Sequence, residues 1–382
     1  MMSSQPDLQI NDTFESFKEN PGFLTDQLIT YIGNKRTLLD FLGNGLKIVQ
    51  NRLGKAKLDT FDVFSGSGVV SRYLKQYSRL LITNDLEKYA SVINQCYLTN
   101  ENSFDHFQFR KIYSDIIRKL ENEPLHSGFI TEMYAPLDDK NIKKGERVFY
   151  TTRNAKYLDT ARTLIDDAPE EYKKYLLAPL LSEASIHANT SGVFKGFYKN
   201  SDTGIGRFGG KNEDALYRIT GGIKIPYPVF SNFNCDFHVF TGDSNLVCEN
   251  LPEVDVAYLD PPYNQHPYGS NYFMLNALLD YKKPEAVSTV SGIPVDWNRS
   301  AYNRNNFAYN ALSELVNKLN AKYLLISFNS EGFVPLGQMT EMLEKYGRLT
   351  VLETKYNTFR GSRNLFGRDI HVKEYLYLLE KS

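Results

Sequence analysis

The sequence predicts an α/β protein whose ligand site lies at the carboxyl ends of sheet strands. Three observations carry that prediction. The run Val254–Leu259 is mostly apolar, as expected of a strand covered on both faces. It stops at Asp260-Pro261-Pro262-Tyr263, because proline cannot donate to a sheet ladder, and so leaves Asp260 at a strand end. Upstream, Phe61-Asp62-Val63-Phe64 enters the glycine turn Ser65-Gly66-Ser67-Gly68 and then a helical pattern over 69–75, followed by a strand Leu80–Thr83 that ends at Asn84-Asp85.

The chain has 382 residues, enough for a large core and two domains, and a formal net charge of −1, so no global basic character points to nucleic acid. Cys96, Cys235 and Cys248 share no metal-ligand spacing and read as free thiols of a reducing compartment. No apolar run reaches membrane length and no secretory leader is visible, which gives a cytoplasmic expectation. With 24 Phe and 26 Tyr, most aromatics must be core.

In chain order, residues 1–27 are polar and read as a loose arm. Asn34 can cap a helix running to about Leu53, with apolar positions at Leu38, Leu39, Leu42, Leu46 and Val49. Lys35 and Arg36 stand in its first turn, against the helix dipole: either an anion lies close by, or these are two solvated cations. The glycine turn lacks the third glycine of a dinucleotide fingerprint, because Ser71 stands there. Asp85, at the end of the second strand, suits ribose hydroxyls, a geometry that serves S-adenosylmethionine as well as NAD. Asp62 favours the former, since a carboxylate there can meet a methionine ammonium.

Helical patterns appear around Phe104–Leu120, Asn154–Asp166 and Glu171–His187. Loop-like segments follow at 189–199 and 204–211. From Val193 to Lys224 there are six cations (195, 199, 207, 211, 218, 224) against three acids (202, 213, 214), interleaved with aromatics and glycines. That composition suits phosphate contacts and base stacking, or else a mobile loop with solvated charge. Strand Phe237–Phe240 leads to Asp243, which either touches the adenine of a cofactor or caps a helix Asn245–Glu249. Tyr272 and Phe273 open a further helix, and one of them can flank a displaced base while the other packs in the core. Residues 281–305 read as a loop holding the only tryptophan, Trp297. A helix Phe307–Leu319, strands Tyr323–Ser327 and Thr350–Glu353, a basic loop within 355–373 and a last strand Glu374–Leu379 complete the chain.

The Asp260 carboxylate and the Pro261 carbonyl make two fixed acceptors beside the flat face of Tyr263. That set suits a planar ring bearing an amino group. It matches the Asp-Pro-Pro-Tyr motif of enzymes that methylate exocyclic amino groups of nucleobases. With 31–39, the loop 62–68 and Asn84-Asp85 in the same order, the chain resembles a DNA adenine-N6 methyltransferase of the Dam-like (alpha) group, of the restriction–modification type. The resemblance implies a Rossmann-like methyltransferase with a mixed, mostly parallel sheet. Residues 28–102 and 236–382 would form the catalytic domain, and residues 103–235 an inserted helical and loop-rich recognition domain.

The resemblance further implies S-adenosyl-L-methionine as cofactor, bound by Tyr31, Lys35, Asp62, Phe64, Gly66, Gly68, Asp85, Asp243 and Asp260. Catalysis would fall to Asp260, Pro261, Pro262 and Tyr263, acting on an adenine flipped out of duplex DNA. The DNA would be held by Lys195, Lys199, Arg207, Lys211, Arg360 and Arg363. It implies no metal and leaves room for a cognate restriction endonuclease as partner. No cysteine follows a proline, so the Pro-Cys nucleophile of cytosine-C5 methylation is absent. The rival readings are an RNA adenine-N6 methyltransferase, methyl transfer to protein glutamine, and a non-catalytic DNA-binding subunit with the same fold. Ser71 disfavours an NAD dehydrogenase.

Overall fold

A computed structural model describes residues 18–210, 212–329, 332–357 and 371–382. Lys211, Arg360 and Arg363 lie outside the described residues. Among the described residues seven strands form one sheet: β1 (Leu58–Asp62), β2 (Ser78–Asp85), β3 (Asp236–Thr241), β4 (Val254–Leu259), β5 (Ala321–Asn329), β6 (Gly347–Asn357) and β7 (His371–Lys381). Their order across the sheet is β3-β2-β1-β4-β5-β7-β6. Strands β1 to β5 run parallel to one another, and β7 lies antiparallel between β5 and β6. The sheet is therefore mixed and mostly parallel, as the sequence predicts.

The chain starts in the middle of the sheet at β1, builds outward to β2 and β3, then returns to place β4 on the other side of β1. The boundary between β1 and β4 is the point where the strand order reverses, and ligands of open α/β sheets bind outside the carboxyl ends there. Both motifs singled out in the sequence follow those two strand ends.

Alternation explains the apolar run of β4. Ala257 and Leu259 face one core with Leu324 and Ile326 of β5 and the helix Asn305–Lys318. Val256 and Tyr258 face the other with Tyr323, Leu325 and the helices Leu39–Leu53 and Val69–Lys75. Both faces are covered, so both parities are apolar from Val256 to Leu259; the one charged residue of the strand, Asp255 near its start, is buried against the Lys55 ammonium at 2.7 Å. Each fully buried aliphatic side chain in this layer contributes about 1.5–3 kcal/mol.

Several expectations shift on the structure. Asn34 does not cap the helix: its side chain accepts from the Arg36 N–H at 2.8 Å in a local turn, and a short 3₁₀ turn (Arg36–Leu38) with Lys35 at its N-cap precedes the helix Leu39–Leu53, whose N-cap is Leu38. Residues 18–27, expected in a loose arm, are packed: Phe23 is fully buried, and the buried Arg72 donates to the carbonyls of Phe23, Asp26 and Gln27 at 2.9, 2.9 and 3.2 Å. The fixed guanidinium supplies donors that this polar segment needs once it leaves water. A helix Leu336–Leu343, absent from the sequence reading, starts after Pro335. In the insertion the predicted helices appear as His106–Asn122, Thr152–Asp166 and Glu170–Ile186, with a further short helix Phe129–Tyr134. Their apolar faces join one continuous core with Tyr89, Ile93 and Tyr97 of helix Lys88–Tyr97 and with Phe273–Leu275. No helix among the described residues is long and apolar enough to cross a membrane.

Candidate active site

A cavity partly open to solvent lies at the carboxyl ends of β1, β2 and β4. The glycine loop after β1 forms one wall. Gly66 (φ +50°) and Gly68 (φ +76°) both occupy the left-handed region. A Cβ on Gly66 would stand 3.0 Å from the Tyr31 ring, so the loop is shaped to let that ring approach. Asp85, closing β2, holds the loop in this form. Its two carboxylate oxygens accept from the N–H groups of Gly66 (2.7 Å) and Glu87 (2.9 Å).

Tyr31 is clamped. Its ring stacks against both Tyr268 and Tyr272, with centroids 5.0 and 4.7 Å away. The Ile32 N–H donates to the Tyr272 hydroxyl at 2.7 Å, and the Tyr268 hydroxyl donates to the Ile32 carbonyl at 3.2 Å. Tyr272 and Phe273 are both buried, so neither can flank a displaced base: the expected split between the two is corrected to core packing for both. The opposite wall is formed by residues 298–303, where an irregular stretch runs into a 3₁₀ turn, Ala301–Asn303. Asn298, Ser300, Tyr302 and Asn303 line the cavity, and Tyr302 meets Phe64 edge to face at 5.1 Å. Asp243 caps the following turn through the Asn245 N–H (2.9 Å) and also lines the cavity, so its two sequence readings are compatible.

Asp260 and Pro262 line the cavity floor. The Tyr263 ring meets Phe328 edge to face at 5.6 Å, and its carbonyl accepts from the Phe333 N–H at 2.9 Å. The cations that oppose the helix dipole have an explanation for Lys35. Its ammonium stands 3.1 Å from Asp260 Oδ1 and 3.0 Å from Oε1 of Glu374 on β7. Lys35 itself is not among the residues lining the cavity, where the sequence reading put it as a cofactor contact. Asp62, expected to face a cofactor ammonium, is fully buried behind the wall. Ser71 donates to its Oδ2 at 2.6 Å, while Oδ1 has no hydrogen-bond partner. Ser71, where a dinucleotide fold would have glycine, thus serves Asp62.

The cavity is a cluster of acids. Burial pushes the carboxyls of Asp85 and Asp260 up to about 6 and those of Glu87 and Asp62 up to about 7. Lys35 pulls Asp260 down against that burial, and Glu374 pushes it up. Glu87 was missed in the sequence; its Oε2 accepts from Asn276 (2.6 Å) and Asn298 (3.2 Å). Its only signal is its place two residues after the acid that closes β2. Glu374 had a stronger one, as an acid opening the apolar run Tyr375–Leu379.

On the insertion, Lys195 and Lys199 are exposed, and Arg207 pairs loosely with Glu213 at 3.6 Å. The Lys195 charge, after burial, helps lower the pKa of His266, three residues beyond Tyr263. Arg218, counted among the loop cations, is spent inside: it donates to the carbonyls of Ile186, Ala188 (2.9 Å) and Thr190 (3.3 Å) after the helix Glu170–Ile186. Among the described residues no cluster of acids, histidines and cysteines could hold a metal ion.

An acid followed by two prolines, at the sheet's reversal point and open to an acid-lined cavity, marks an α/β protein with its ligand site at the carboxyl ends of the strands. The chain belongs to the D12 class of N6 adenine-specific DNA methyltransferases, whose family model matches residues 31–329. The Type II methyltransferase M.NlaIII of Neisseria lactamica is 28% identical over 366 residues, covering 93% of this chain and 100% of that protein. M.CviAII of Paramecium bursaria Chlorella virus 1, another Type II methyltransferase, is 28% identical over 363 residues, covering 92% and 98%. The Type II methyltransferase M.FokI of Planomicrobium okeanokoites is 24% identical over 364 residues; the match covers 92% of this chain and 52% of that longer protein.

Proposed function

We propose that this enzyme transfers the methyl group of S-adenosylmethionine to N6 of an adenine flipped out of duplex DNA, as the modification partner of a restriction endonuclease. The observation that carries the reading is Asp260: it closes the central strand β4, is backed by a buried lysine and opens onto the cavity. The residues present fit the proposed methyl donor. Asp85, Glu87 and Asp260 line the cavity with carboxyls that burial raises, and a ligand bearing two cationic centres would favour their ionised forms. Tyr31, Phe64, Gly66, Asp85, Glu87 and Asp243 would hold it. When bound, S-adenosylmethionine supplies an electrophilic methyl on a sulfonium.

The adenine amino group is a weak nucleophile because its lone pair is delocalised into the ring. Asp260 and the Pro261 carbonyl accept its two N–H hydrogens, which draws the nitrogen toward tetrahedral geometry and localises the pair. One N–C bond forms as the donor's C–S bond breaks. The nitrogen then sheds one proton, to Asp260 or to water. The protein's contribution is alignment and preorganised charge. Tyr263 supplies a stacking face for the extruded base. Residues 28–102 and 236–382 act as the catalytic part and 103–235 as the recognition part, with Lys195, Lys199 and Arg207 toward the phosphates.

Asp260→Ala tests the reading. Methyl transfer to duplex DNA should fall by at least about a thousandfold, while S-adenosylmethionine binding by calorimetry stays within about tenfold. Normal turnover by the variant would refute the assignment. In the same assay Tyr263→Ala should lower kcat more than DNA affinity, and an unchanged kcat would remove the stacking role.

A further inference from the structure

Three charged side chains from distant parts of the chain meet beside the end of β4. Lys35 (7% exposed) comes from the N-terminal segment, Asp260 (20%) from the strand end and Glu374 (2%) from β7. The lysine backbone is anchored three residues earlier, where Tyr268 and Tyr272 grip both the N–H and the carbonyl of Ile32. Two carboxylates on one ammonium leave a surplus negative charge in a place that water scarcely reaches. Such a surplus works against stability. A fold that needed only a partner for Lys35 already has Asp260, and an apolar residue at 374 would continue the run Tyr375–Leu379. The second acid therefore calls for a functional reason.

The geometry supplies one. Asp260 Oδ1 is sealed from solvent and lies against Lys35, which leaves Oδ2 as the oxygen available to the cavity. We infer that Glu374 is a positioning residue: it shares the Lys35 ammonium with Asp260, so that the lysine anchors the inner oxygen without withdrawing the negative charge that the outer oxygen presents to the amino group. The inference rests on the adenine-N6 reading above. An ammonium committed to Asp260 alone would make that carboxylate a poorer acceptor; Glu374 divides its pull. The other titratable groups facing Asp260 are Asp62 at the end of β1, Tyr258 on β4 itself and Tyr268 from the segment after the motif. None of them touches Lys35 at ion-pair distance.

The test is the pH dependence of kcat on duplex DNA for wild type, Glu374→Gln and Lys35→Met. Affinity for S-adenosylmethionine is followed in parallel by fluorescence of Trp297, the sole tryptophan and the neighbour of cavity-lining Asn298. The acid limb, where Asp260 loses its proton, should move down by about one pH unit in Glu374→Gln and up by about one in Lys35→Met. The plateau kcat of Glu374→Gln should fall about tenfold, with donor affinity within about threefold of wild type. Glu374→Asp, which keeps the charge, should return the limb toward the wild-type position. Should Glu374→Gln not fold, Glu374→Asp with a wild-type limb beside the raised limb of Lys35→Met supports the inference, and unmoved limbs in both overturn it. A limb that stays in place in a folded Glu374→Gln, or moves up, overturns it even if kcat falls, since that is the pattern of a structural role. A wild-type enzyme that transfers no methyl to adenine overturns the underlying reading instead.

Discussion

Asp85, Glu87 and Asp260 share the wall of one cavity, with Asp62 just behind it, and burial raises all four carboxyls to between about 6 and 7. Acids whose folded pKa exceeds the unfolded value stabilise the fold most at low pH, and that contribution is lost as pH rises through the folded pKa. The ligand-free enzyme should therefore lose stability between about pH 4 and 7 from these groups. A cationic ligand prefers the ionised acids, so S-adenosylmethionine affinity should rise through pH 6 to 7 and binding should release protons. Calorimetry in buffers of different ionisation enthalpy reads that release directly; proton uptake, or affinity that falls with pH, would contradict it. Asp260 and Tyr263 were legible in the sequence because two prolines announce a strand end. The partnership of Lys35 with Glu374 was not, because it joins residues 339 positions apart through the sheet order. Only the misfit of two cations in a helix's first turn hinted at it.

At the scale of the element, the loop from Val63 to Gly68 depends on one backbone position. Gly66 combines a left-handed φ with a ring 3.0 Å from where a Cβ would stand, and its N–H is held by Asp85. Gly66→Ala should weaken S-adenosylmethionine binding about tenfold or more while the protein stays folded, because strain falls on the loop and not on the sheet core. Equal affinity in the variant would show that the loop does not shape the site. The strand–turn–helix pattern was readable from periodicity and glycine. The wall at 298–303 was not, because an irregular segment carries no period, and its residues find the cavity only through contacts such as Tyr302 with Phe64 and Asn298 with Glu87. The same holds for residues 18–27, whose polar composition concealed the buried Arg72 that gathers their carbonyls.

For the whole molecule, the chain order of motifs maps onto the sheet order: β1 and β4 are neighbours, so the glycine loop and Asp260 converge although nearly two hundred residues separate them. Their convergence could be anticipated from the sequence, since an acid after a buried parallel strand belongs at a carboxyl edge. The path of the insertion could not. Its helices share a core with Lys88–Tyr97 and with Phe273–Leu275, so residues 103–235 pack as one body with those two helical segments. The central claim is the reaction itself. Labelled methyl transfer from S-adenosylmethionine to duplex DNA, with RNA in parallel and nucleoside analysis of the product, tests it most directly. N6-methyladenine in DNA, confined to a fixed sequence, is the predicted result. Label in RNA alone, in another nucleoside, or in neither polymer while S-adenosylmethionine still binds would contradict it.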